Sequence, residues 1–181
     1  MGFGAMALYA GILMLAGRVE MTKAKAYEPL AIVASETRVT PPPELKAKLK
    51  EGTNWLHFYR QECPCSRAAI GHVAALKNRY PNLNWVGINV GEKPGPARDP
   101  FVGVTLNGDQ IYDRGGEIAA AYGISSTPAA VLVDSTGKTL WKGSYREVGT
   151  HPGYTAEDVF ADLASGKPLH PGQLGDGCVI P

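Results

Sequence analysis

The chain has 181 residues, about one domain's length, with 44% hydrophobic and 19% charged residues, a balance that suits a packed globule and excludes a disordered polar chain. Its net charge is +1 and no run of Lys or Arg exceeds two residues, so there is no basic field to hold nucleic acid. Gly and Pro, 22 and 14 residues, make up about a fifth of the chain, rich in turns but short of low complexity.

Phe3 to Gly17, FGAMALYAGILMLAG, runs fifteen residues without a charge. That is below the ~20 residues of a spanning helix and at the upper end of the ~7–15 of a signal-peptide core. The nearby positive charges, Arg18, Lys23 and Lys25, follow the segment and none precedes it, so the positive-inside rule taken alone leaves the rest of the chain in the cytoplasm. Neither an A-x-A site nor a lipobox cysteine is clear. We expect residues 1–17 to be a membrane anchor or signal segment and residues 18–29 a polar linker, followed by a domain over 30–166 and an irregular tail over 167–181.

Leu30–Ala34 reads as a short strand. Pro41-Pro42-Pro43 and the following ELKAKLKEG predict a helix with Pro at its start and Gly52 at its stop. Asn54–Arg60 (NWLHFYR) is a continuous apolar and aromatic run, as in a strand buried on both faces. Ala69, Val73, Leu76 and Tyr80 give residues 64–80 helical spacing. Leu83–Val90 predicts the next strand, and Gly91–Pro100 is a loop by composition. Glu117–Tyr122 predicts a short helix ended by Gly123. Ala129–Asp134 and Lys138–Gly143 form a hairpin around Ser135-Thr136-Gly137. Thr155–Ala164 closes the domain as a helix with Thr155 as N-cap, Asp158 three residues on and Gly166 beyond its end. Strands and helices alternate before the hairpin, which implies an α/β sandwich with a mixed sheet and helices on both faces.

The chemistry sits at Glu62-Cys63-Pro64-Cys65-Ser66, between the buried strand and the start of a helix. Free N–H groups and the positive end of the helix dipole lower a thiol pKa at such a place, and thiolate is the nucleophile of disulfide exchange. Buried structural cysteines, or half of a metal site, are the bland alternative.

These residues resemble the thioredoxin superfamily, particularly its membrane-tethered TlpA- and redoxin-like branch. The matching segments are WLHFYRQECPCSR and GISSTPAAVLVDSTGK, within a resemblance that covers Pro43 to Gly166. It implies a thioredoxin-like sandwich and a cis peptide bond at Thr127–Pro128, packed beside the thiols and presenting backbone to a peptide substrate. One departure matters. Cys63 stands five residues after Phe58, as in the family, but a single residue, Pro64, separates it from the next cysteine. Either Cys65 is the resolving thiol, or Ser66 holds that place and Cys65 is an extra. A Cys63–Cys65 bond would close a small strained ring, which predicts oxidant or isomerase character. The spacing is also similar to that of an uncharacterised thioredoxin-like family with Cys63-Pro64-Cys65, Arg67, His72-Val73 and a late Gly177-Cys178. The resemblance implies a thiol-disulfide oxidoreductase without cofactor, working on protein thiols and disulfides with an electron donor or acceptor, in an extracytoplasmic domain.

His57 precedes Phe58, where thioredoxins carry a buried acid. It is either a base for the thiols near pH 7 or a core histidine. His72 lies seven residues past Cys65, about 10 Å along a helix, and reads as structural. Cys178 makes the cysteine count odd and is a resolving thiol, an intermolecular partner or a spectator. Two rival functions stand. A thiol peroxidase is disfavoured, because Leu56 and Arg60 hold the places that peroxiredoxins give to Pro and to Thr or Ser. A Cu(I)-handling module would use Cys63 and Cys65 as soft ligands with His151 as the third.

Overall fold

The computed structural model describes residues 39–91, 110–145, 154–172, 174 and 177–180. The apolar segment 1–17, the linker 18–29, the strand expected at Leu30–Ala34 and His151 lie outside the described residues, as does most of the loop over 91–100. Among the described residues no helix is long and apolar enough to cross a membrane.

In chain order the elements are α1 (Pro43–Lys46), β1 (Asn54–Tyr59), α2 (Pro64–Arg79), β2 (Asn84–Asn89), β3 (Gln110–Tyr112), α3 (Glu117–Ala121), β4 (Ser126–Thr127), β5 (Ala129–Val133), β6 (Thr139–Gly143), α4 (Ala156–Ser165) and β7 (Cys178–Val179). The main sheet has the order β3-β2-β1-β5-β6, and β4 pairs with β7 in a separate ribbon. β1 runs parallel to β2 and antiparallel to β5, so the sheet is mixed, with β1 at its centre.

Alternation along the strands sends side chains to two cores. Leu56, Phe58, Val86, Ile88, Val131 and Val133 meet Leu45 of α1 and Ile118 and Ala119 of α3. Trp55, Trp85, Ala130 and Leu132 meet Val73 and Leu76 of α2 and Val159 and Phe160 of α4. Every residue of β1 is therefore buried, as its unbroken apolar run predicts. Trp55 anchors the second core, its rings stacked or tilted against Phe160 (4.5 Å), Trp141 (5.6 Å) and Trp85 (5.7 Å), and its indole N–H donates to the Tyr145 hydroxyl at 2.9 Å.

Local chemistry sets the ends of these elements. The α4 capping box forms as expected: the Asp158 carboxylate accepts from the Thr155 N–H at 2.8 Å, and Gly166 ends the helix at φ 66°. The Asp113 carboxylate accepts from the N–H groups of Ile118 and Ala119, which opens α3. The helix expected from Pro43 to Gly52 stops after one turn. The Asn54 amide takes up both the N–H and the carbonyl of Lys50, at 2.8 and 3.0 Å, and draws the chain off the helix path toward β1. β3 was not foreseen, because three residues are too few to show a period. The tail, expected to be irregular, ends in β7.

Candidate functional site: three sulfurs at the start of α2

β1 ends at Tyr59 and the chain turns through Arg60–Glu62 into α2. Pro64 takes the first helical position, where its missing N–H costs nothing, and Cys63 is the N-cap. The Ser66 N–H, one of the free donors of the first turn, points at Cys63 Sγ at 3.4 Å. Cys63 is buried, at 3% exposure. Its sulfur lies 3.5 Å from the carbonyl oxygen of Thr127.

Cys63 is disulfide-bonded to Cys178, 115 residues away in sequence. Cys65 is the free cysteine and is exposed. The bond leaves the small ring considered above unformed, and the strain expected of it does not arise in this state. The three sulfurs nonetheless lie within 4.8 Å of one another.

The Thr127–Pro128 peptide bond is cis, as the resemblance implies. Thr127 is fully buried and its hydroxyl has no hydrogen-bond partner among the described residues. β4 and β7 run antiparallel, with Thr127 opposite Cys178 and Ser126 opposite Val179. The Ile180 N–H donates to the Ser125 carbonyl at 2.9 Å, and an Arg60 N–H donates to the Val179 carbonyl at 3.2 Å. Gly177 fits because it lacks a Cβ, which would stand 2.2 Å from the Thr127 carbonyl oxygen. Ile180 packs against the first core. Arg60 and Gly177 thus join the site beside the residues singled out from sequence, Ser66 among them. Of these two, only the glycine beside a late cysteine carried a sequence signal.

His57 is fully buried. Its ring stacks on Tyr59 at 5.2 Å and meets Tyr145 edge-on at 5.1 Å. Desolvation pushes its pKa down from 6.5 to about 3, so the imidazole is neutral near pH 7 and takes up a proton poorly there. His72 bridges helices as a structural residue, its Nδ1 3.5 Å from a Glu157 oxygen of α4. Pro64 is exposed at the mouth of the site and Pro128 half-buried. As for a metal, the trio this structure assembles is Cys63, Cys65 and Cys178; in the disulfide state it offers one free thiol.

A central β1, a cysteine at the start of the helix that follows, and a cis-Pro loop across from it define a thioredoxin-like fold. The chain belongs to the family described as a domain of unknown function, DUF6436, whose model matches residues 32–155. That span includes Cys63, Cys65, Thr127 and Pro128 and ends before Cys178. Solved structures share the fold, three of them as follows. An uncharacterized conserved protein from Geobacillus kaustophilus has a TM-score of 0.58 and 21% identity, over 75% of this chain and 80% of that one. A hypothetical protein from Sinorhizobium meliloti 1021 has a TM-score of 0.55 and 20% identity, over 84% and 94% of the two chains. A thioredoxin-like protein in its oxidized form has a TM-score of 0.52 and 15% identity, over 79% and 99%. No curated protein matches the chain.

Proposed function

We propose that this chain is a thiol-disulfide oxidoreductase acting on protein thiols and disulfides. The observation that carries the reading is a disulfide on the N-cap cysteine of α2, with an N–H aimed at its sulfur and a cis-Pro loop beside it. Cys63 is the attacking thiol and Cys178 its redox partner. In the reducing direction the Cys63 thiolate attacks a substrate disulfide and expels one substrate thiolate. Cys178 then attacks Cys63 Sγ, forms the Cys63–Cys178 bond and expels the second. Two protein thiols become one disulfide while one substrate disulfide becomes two thiols, and an external dithiol restores the starting state. A hydrogen bond to the Cys63 sulfur favours its anionic form, which serves it both as nucleophile and as leaving group. Thr127 and Pro128 border the substrate. With a pKa near 3, His57 is assigned to the core, and the proton of the resolving thiol passes to solvent.

Disulfides persist in oxidising surroundings and are rare and mostly transient in the cytosol. Together with the apolar Phe3–Gly17 segment, the Cys63–Cys178 bond favours a domain outside the cytoplasm, exported or tethered through that segment. A second reading is favoured by the proximity of the sulfurs: the fully reduced protein would offer three thiolates to a soft ion such as Cu(I).

Equilibration with glutathione, read by mass spectrometry, tests the first reading. A reversible two-electron couple is expected, abolished by Cys178→Ser and altered by Cys63→Ser, which leaves Cys65 alone to pair with Cys178. Its absence in the unmodified chain would sink the oxidoreductase and make Cu(I) titration of the reduced protein the next measurement.

A further inference from the structure

The oxidised site holds one disulfide and one thiol, not a bare disulfide. Cys65, exposed on the first turn of α2, has its sulfur within 4.8 Å of both bonded sulfurs. The two possible targets differ. Cys63 is 3% exposed and joined to Cys65 through Pro64 alone, so attack there must close the small ring. Cys178 is half-buried, on a strand from elsewhere in the chain, and attack on it expels Cys63. The Ser66 N–H, 3.4 Å from Cys63 Sγ, then meets the charge left on the departing sulfur.

We propose that Cys65 is a relay thiol that takes Cys178 from Cys63 and so frees Cys63 as a nucleophile without any electron donor. This rests on the reading of Cys63 as the attacking thiol. Cys65 loses its proton to solvent, its Sγ bonds to Sγ of Cys178, the Cys63–Cys178 bond breaks, and the electron pair leaves on Sγ of Cys63. One disulfide and one thiol exist before and after, so no oxidant or reductant enters. The ribbon keeps the step reversible. Ser126–Val179 pairing, the Ile180 N–H on the Ser125 carbonyl and the Arg60 bond to the Val179 carbonyl hold the tail at the site and keep Cys178 at high effective concentration. The activity this adds is disulfide isomerisation. A thiolate that attacks a misplaced substrate disulfide and is expelled by another substrate thiol needs no net electrons, and the relay supplies it from a protein that is still oxidised.

The test is disulfide mapping of the oxidised full-length chain, held without reductant between pH 6 and 9 and quenched in acid. Its free thiol is alkylated there, and pepsin digestion with fragmentation by tandem mass spectrometry locates the label on Cys63, Cys65 or Cys178. Peptides linked Cys65–Cys178 are expected beside those linked Cys63–Cys178, since the Ser66 N–H stabilises the Cys63 sulfur that the exchange releases. Cys63–Cys178 as the only pair at every pH overturns the relay, and so does a Cys63–Cys65 pair. The first result leaves the glutathione couple of Cys63 and Cys178 standing; the second moves that couple to Cys63 and Cys65 without removing it. Loss of that couple fails the oxidoreductase reading instead, so the two failures are separable.

Discussion

Trp55 and Cys63 stand at opposite ends of one short stretch, the first near the start of β1 and the second just past its end, and they are held in different ways. Around Trp55, rings from β2, β6 and α4 overlap, with centroids 4.5–5.7 Å from its own, and its N–H is spent on Tyr145. Each contact there is backed by others. Around Cys63, position rests on a helix cap, one covalent bond across 115 residues and a ribbon two residues long. The core resists perturbation through redundancy, whereas the site is assembled from parts that can separate. That separability suits the redox role proposed for the site, whose bond would break and reform while the sheet beneath stays still.

The largest effect expected lies on the core side. Trp55→Ala should lower unfolding free energy by about 3–5 kcal/mol, the range for deleting a buried aromatic. Denaturant titration of the oxidised and reduced forms checks this. A similar loss in both forms supports two separately held regions; a loss confined to one form would show that the aromatic wall and the sulfurs act as a unit.

The same division governs what could be read in the sequence. β1, α2, β5 and the α4 capping box were legible because each is a local pattern: an unbroken apolar run, a helical spacing, a cap and its partner three residues on. The cis Thr127–Pro128 bond came from a resemblance carried by contiguous residues. What stayed open was non-local. Nothing near Cys178 says that it reaches Cys63 ahead of Cys65, because the choice is made by β4–β7 pairing, and a two-residue strand leaves no period. α1 ended early for a similar reason: Asn54, beyond the predicted helix, competes for the Lys50 backbone groups. From sequence His57 reads as either a base or a core residue, since burial depth, which decides between them, comes from Tyr59 and Tyr145 folding around it.

His57 sharpens the comparison through pH. Its pKa falls from 6.5 to about 3 on folding, so the unfolded chain binds a proton between these values that the native state does not. The native advantage is complete above pH 6.5 and is lost as pH falls toward 3, by about 1.4 kcal/mol per unit. Unfolding midpoints at pH 7, 6, 5 and 4 should therefore decline more steeply in the unmodified protein than in His57→Phe. Parallel curves would place the imidazole in contact with water or a proton acceptor and return it to the site. The glutathione couple of His57→Phe should keep the pH dependence of two thiols alone.

The smallest expected change in stability singles out the ribbon. A Cβ at Gly177 would stand 2.2 Å from the Thr127 carbonyl oxygen and 2.8 Å from its carbonyl carbon, and backbone cannot step aside as a flexible side chain would. Gly177→Ala should push β7 off β4 and weaken the Cys63–Cys178 bond against glutathione about tenfold, or ~1.4 kcal/mol. The thermal transition of the reduced protein should move little, because the displaced segment gives the first core only the partly buried side chain of Ile180. Gly166→Ala is the matching control. Its residue sits at φ 66° with open space around it, so it should cost about 1 kcal/mol in unfolding through backbone strain and leave the couple unchanged. If the two alanines shift the couple equally, the ribbon does not position Cys178, and the disulfide forms by chance encounter of a tethered tail. If only Gly177→Ala shifts it, two residues of strand pairing select which of two thiols Cys63 bonds.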